Sequence, residues 1–197
     1  NDKDLDTAIR LYVNGRKSNH IIEEFEDLLN SKHREHDIDV FLRKNPEIFS
    51  ETNFCEDLII QPFLEGSSEY NKRPDFILKP IVPTINAKIV ELKKITAQTI
   101  KNESKAADFS SNVKDAINQI RNYQNYFDDK ANRDKFQLKF NAKVFKPTAR
   151  LIIGRDYGDL SIEKILHLKD DYLTHKIEIL SYSELLNIIK KNVGFLR

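Results

Sequence analysis

Arg73-Pro74-Asp75-Phe76-Ile77-Leu78 and, after a short connection, Ile89-Val90-Glu91-Leu92-Lys93-Lys94 are two apolar runs that each carry charge where a buried face should begin. Both have the length and composition of short strands. Residues two apart in a strand point to the same side, so Glu91 and Lys93 project together and Val90 and Leu92 face the other way. Asp75 shares a side with Ile77 by the same rule. Pro80, Pro83 and Asn86 lie between the runs and predict a hairpin turn. If the two strands are neighbours, Asp75, Glu91 and Lys93 converge at one point.

Working outward, helices and strands alternate around this pair. Upstream, the spacing predicts helices over Leu5–Val13, over the stripe Ile21, Ile22, Phe25, Leu28 and Leu29, and over about Lys32–Lys44, where Pro46 ends the last one. Leu58–Leu64 reads as an edge strand or one bent at Pro62. Downstream, Thr96–Lys105 is polar and reads as a loop. A helix over about Ala106–Phe127 follows, with Gln119 and Tyr123 four apart on one face. Asp128–Asp134 reads as a charged linker. Phe136, Leu138, Phe140, Ala142 and Val144 alternate with polar residues, as in a half-buried strand. Ala149–Gly154 has the apolar run of a central strand. A helix near Leu160–Leu168, a strand over Lys176–Leu180 and a helix over Ser183–Lys191 complete an α/β chain with a mixed sheet. Residues 1–30 read as an N-terminal helical extension and 31–197 as the main domain.

Composition narrows the functions. The chain has 197 residues, 40% of them hydrophobic, enough for one core. A net charge of +1 gives no global basic field, so any nucleic-acid contact must rest on a local patch. One such stretch exists: Lys130, Arg133, Lys135, Lys139, Lys143, Lys146, Arg150 and Arg155, interleaved with Phe136, Phe140 and Phe145. It reads equally as a phosphate track and as a lysine-rich sheet edge that resists aggregation. The single Cys55 excludes an intrachain disulfide and fits a reducing cytoplasm. No apolar run reaches membrane-spanning length. Five scattered glycines provide no phosphate-binding loop, which disfavours a nucleoside triphosphatase. The chain begins at Asn1 and has no Met, which fits either a piece of a longer protein or a sequence whose methionines have been lost.

The charged positions point to phosphodiester chemistry. Hydrolysis places negative charge on the phosphorane and the leaving oxygen, which a divalent cation neutralises. Mg²⁺ takes oxygen ligands and keeps several waters, so Asp75, Glu91 and the backbone carbonyl of Leu92 suffice. Lys93 would lie beside the metal, orienting or deprotonating the attacking water. Glu35 falls on the same helical stripe as Ile38 and Leu42, where a carboxylate is costly unless it is paired or bound to a metal. It also stands near a helix start, where a partly exposed negative charge suits the dipole. His33 and His36 flank that start and read as surface residues.

These residues resemble the PD-(D/E)xK nuclease superfamily. The matching set is Asp75, Glu91-Leu92-Lys93 and Gln119-x-x-x-Tyr123. More narrowly, the chain is similar to the C-terminal nuclease domain of Shedu anti-phage defence proteins. That likeness rests on Glu35 before Phe41-Leu42-x-x-Asn45-Pro46, on Pro74–Leu78, Ile89–Lys93 and Gln119–Tyr123, and on Leu151-Ile152-Ile153-Gly154-Arg155 and Ser181–Leu186. The resemblance implies a restriction-endonuclease-like mixed β-sheet flanked by helices. It implies a DNA endonuclease of bacterial immunity that uses Mg²⁺, with Mn²⁺ as a substitute, and acts as a homo-oligomer (dimer or tetramer). By motif, Asp75, Glu91 and Lys93 would be catalytic, with Glu35 the first-helix acid and Gln119 the supporting helix position. The alternative is a catalytically inactive module that keeps the fold for DNA binding or oligomer assembly.

Overall fold

Each strand of the central sheet has apolar residues on both faces, and helices cover both. The computed structural model describes residues 19–30, 35–49, 54–65, 73–80, 82, 84–101 and 107–194. Strands β1 (Phe54–Ile60), β2 (Phe76–Pro80), β3 (Lys88–Leu92), β6 (Thr148–Ile152) and β7 (Ile177–Leu180) form one sheet in the order β1-β2-β3-β6-β7. The first three run antiparallel as a meander, and β3, β6 and β7 run parallel. Five short strands flanked by helices give the mixed α/β, restriction-endonuclease-like arrangement that the sequence predicts.

The alternation of side chains sets the two layers. Ile77, Ile89, Leu151 and Ile179 belong to one core, with Val113, Ile117, Ile120 and Tyr123 of α3 (Ser111–Tyr126). Phe76, Leu78, Val90, Leu92 and Ile152 belong to the other. There they meet α1 (residues 19–30), α2 (Glu35–Lys44) and α6 (Tyr182–Gly194). The sequence reading sets residues 1–30 apart as an extension, yet Ile21, Phe25 and Leu29 are buried in this second core. Phe25 stacks on Phe41 with centroids 5.2 Å apart. The predicted helix over Leu5–Val13 lies outside the described residues. Arg155 fastens α1 to the sheet by donating to the carbonyl of Leu29 and, at 2.7 Å, to Asn30 Oδ1. A cation there suits the negative end of the helix dipole. The last helix opens on a capping box, in which Ser181 Oγ accepts from Glu184 N and Glu184 Oε2 accepts from Ser181 N.

Three stretches differ from the sequence reading. The predicted strand over Phe136–Val144, and the linker before it, instead contain helix α4 (Lys130–Phe140). Alternating apolar residues suggested a strand, but local capping decides otherwise. The Asp129 carboxylate accepts from Asn132 N at 2.9 Å, and Asn141 ends the helix at φ 48°. Phe136 and Phe140, four apart, then pack together at 4.6 Å, while Leu138 is left 88% exposed. Secondly, the predicted loop after Ile95 and the start of the helix predicted over Ala106–Phe127 contain a small ladder between β4 (Ile100–Lys101) and β5 (Asp108–Phe109). This delays α3 to Ser111, with Ser110 as its N-cap. Thirdly, β1 begins at Phe54 and ends before Pro62, with Gln61 at φ 42°. It is the edge strand expected there. The remaining helix, α5 (Ile162–Leu173), lies between β6 and β7.

Candidate active site

The register of the hairpin makes the site. Phe76 pairs with Val90 and Ile77 with Ile89, so one further step sets Asp75 opposite Glu91. Both acids, with Lys93, are on the α3 side of the sheet, because Ile77 and Ile89 point there. The Asp75 carboxylate is fixed by the backbone, with Leu92 N donating to Oδ2 at 2.7 Å. Lys93 Nζ donates to Glu91 Oε1 at 2.8 Å and to Gln119 Oε1 at 2.8 Å. Gln119 Nε2 in turn donates to the Tyr123 hydroxyl, which donates to the carbonyl of Arg73 at 3.3 Å. Sheet and helix are thus tied through four side chains of the predicted set: Asp75, Glu91, Lys93 and Gln119.

Glu91 is the exceptional group. It is 3% exposed, and its Oε2 has no hydrogen-bond partner among the described residues. Burial first, and then the neighbouring charge of Asp75, pushes its carboxyl up to about 7, against the opposing pull of Lys93. An acid this dry and short of donors is costly when ionised. Tyr123 is raised for the same first reason, with the Glu91 charge second, so its hydroxyl keeps its proton and acts as a donor.

Proline contributes through what it lacks. Lys93 N donates to Ile152 O at 2.9 Å, so residue 93 faces β6 and Leu92 must face β2. Gln61 N donates to Asp75 O at 2.9 Å, so residue 75 faces β1 and residue 74 faces β3. Past the last pair, Phe76 with Val90, the Leu92 N–H turns to the Asp75 carboxylate, and continuing the register two steps would set the Leu92 carbonyl against Pro74, which has no N–H to give. That carbonyl, beside Asp75 and Glu91, is the third oxygen that the sequence reading assigns to a metal. Among the described residues no group of three or more His, Cys, Asp or Glu side chains forms a metal site. The donor set is two carboxylates and a carbonyl, which fits a cation that retains waters.

Glu35 opens α2, the helix covering the Val90–Leu92 side of the sheet. Its side chain lies outside the described residues, as does His33. His36 is exposed. The sequence reading gave no role to Tyr182, which is fully buried and donates to the Lys93 carbonyl at 2.9 Å. Gly154, at φ +66°, donates its N–H to the Lys94 carbonyl at 3.1 Å. A Cβ there would come within 2.3 Å of Thr99 Cγ2, so the close approach needs glycine. These contacts pin the exit of β3. They span long sequence separations, which no local signal announces.

Residues 32–186 match the family model described as Shedu protein SduA, C-terminal. The chain belongs to that Shedu family. The match covers the whole site, from the helix of Glu35 through β2, β3 and α3 to the capping box of α6. A comparison with curated proteins returns no match. No helix among the described residues of this Shedu domain is long and apolar enough to cross a membrane.

Proposed function

We propose that the chain is a PD-(D/E)xK endonuclease that hydrolyses DNA phosphodiester bonds with Mg²⁺ or Mn²⁺ in bacterial anti-phage defence, acting in the cytoplasm as a homo-oligomer. The observation that carries this reading is the buried Oε2 of Glu91, which has no hydrogen-bond partner among the described residues, beside Asp75 and Lys93. A purely structural ion pair gains nothing from leaving a dry carboxylate oxygen bare. Asp75, Glu91 and the Leu92 carbonyl would hold the cation, which when bound supplies neutralisation of the charge that develops on the phosphate. Lys93 has three ammonium donors and spends two on Glu91 and Gln119. Its third has no partner among the described residues and would orient the attacking water or a phosphate oxygen. Gln119, held by Tyr123, keeps the ammonium aimed between sheet and helix.

The test is Lys93→Ala assayed on plasmid DNA with Mg²⁺ or Mn²⁺. Cleavage should fall by roughly 10²–10⁴-fold, the usual contribution of a positioned proton-handling group, while circular dichroism and thermal unfolding stay near wild type. Cleavage at the wild-type rate, with trace nuclease excluded, would sink the assignment. Salt-dependent DNA binding without turnover in any divalent metal would favour the inactive binding module instead.

A further inference from the structure

Of the eight cations in the basic stretch, two are already engaged within the fold. Arg150 is buried against Glu178, and Arg155 holds the end of α1. Two of the others stand together one helical turn apart on α4, Lys135 and Lys139, both exposed. A third cation from outside the stretch joins them. The exposed Arg73 lies over the ring of Phe63 at 5.2 Å, and Lys139 Nζ lies 6.0 Å from the same ring. Lys139 also approaches the Phe140 ring at 5.7 Å.

Among the described residues, one carboxylate meets this group. Glu65 accepts from Lys139 Nζ at 2.6 Å, and the charge of Lys135 also acts on it, after the dominant hydrogen bond from Lys139. Asp134, next to Lys135 in sequence, points about 100° away around the helix. Two cations over one aromatic ring, with Lys135 one turn back on α4 and one exposed acid among the described residues, form a locally positive, partly apolar surface. That combination suits a polyanion whose rings or sugars can lie on Phe63 while its phosphates meet the cations.

Position ties the group to the candidate active site. Arg73 stands two residues before Asp75, and its carbonyl takes the Tyr123 hydroxyl bond that supports Gln119 and hence Lys93. A strand gripped here is held in fixed relation to the reactive groups. We propose that Arg73 and Lys139, which lie over Phe63, together with Lys135 one turn back on α4, hold the DNA backbone next to the phosphate that is cut. The nuclease reading supplies the identity of the polymer, and the surface supplies its path. Glu65 occupies Lys139 until phosphate displaces it.

The test is anisotropy of a fluorescein-labelled DNA duplex, titrated with protein in EDTA over a salt series, beside hydrolysis of bis(p-nitrophenyl) phosphate with Mn²⁺. The small ester has a single phosphate and no neighbouring strand to lie on Phe63 and the cations. K135E/K139E should weaken duplex binding about tenfold and flatten the salt slope by about two, yet hydrolyse the small ester at the wild-type rate. E65Q should tighten binding about threefold, because it frees Lys139. Wild-type affinity and slope in both variants would overturn the proposal. Should K135E/K139E fail to fold by circular dichroism, K139Q and E65Q carry the same test with opposite expected signs. A wild-type protein that hydrolyses neither substrate, with the binding shifts intact, would defeat the nuclease reading and leave the surface standing.

Discussion

Two acid–base pairs on the same sheet are built in opposite ways. Arg150 on β6 and Glu178 on β7 are cross-strand partners, and Arg150 Nε and Nη2 both bond Glu178 Oε2, at 2.8 and 2.7 Å. Lys88 adds a second cation at 3.7 Å, and the Glu178 side chain remains 36% exposed. The buried partner is the guanidinium, and the acid keeps water. In the Glu91–Lys93 pair the burial is reversed. The acid is dry, one of its oxygens has no hydrogen-bond partner among the described residues, and a second carboxylate stands across the ladder. A pair that serves stability completes its donors and shares its charge with solvent. The Glu91 pair leaves a deficit that a divalent cation would complete.

Neutralising each acid breaks this comparison most directly. The Glu91 carboxyl is raised from 4.5 to about 7 by folding, so between those values the folded chain keeps a proton that the unfolded chain releases. Stability without metal should therefore fall as pH rises through that window, by about 3 kcal/mol once above it. Glu91→Gln should abolish this loss and make the metal-free protein more stable than wild type at about pH 8, while removing metal-dependent cleavage. Glu178→Gln should act in the other direction, destabilising by about 2 kcal/mol because Arg150 stays buried beside a neutral partner. Urea unfolding of both variants at acid and alkaline pH reads the two signs. If both changes destabilise equally at high pH, the two pairs are of one kind.

A smaller effect sharpens the same contrast. Pro74→Ala restores an N–H opposite the Leu92 carbonyl, and a hydrogen bond there would compete with a cation. Metal affinity should fall about fivefold, equivalent to the roughly 1 kcal/mol of one ordinary hydrogen bond. Calorimetric titration with Mn²⁺ measures it, and hydrogen exchange at residue 74 reports whether the new amide is protected. Unchanged metal affinity with a protected amide would remove the Leu92 carbonyl from the donor set.

The hairpin and its charged positions were legible in the sequence because period-two alternation fixes which side chains share a face. The order of helices and strands around it followed the apolar periodicity as well. Where the reading failed, a local cap outweighed the pattern: Asp129 and Asn141 bound a helix through residues whose alternation imitates a strand. The small β4–β5 ladder was hidden in a polar run because each strand contributes only two residues. Tyr182 and Gly154 could not be foreseen, since they meet the β3 exit from distant parts of the chain. Pro74 was visible as a residue, but its consequence depends on a register that only the folded ladder supplies.

The central claim is that Glu91 and Asp75 together complete a divalent-cation site. Mn²⁺ uptake followed by electron paramagnetic resonance of the free ion tests it without reference to cleavage. The wild-type protein should take up Mn²⁺ more tightly as pH rises through about 7, because binding must displace the Glu91 proton. Asp75→Asn and Glu91→Gln should each weaken uptake at least about tenfold, the loss expected when one of few charged ligands is removed. Uptake that is equal in all three proteins and independent of pH would contradict the account.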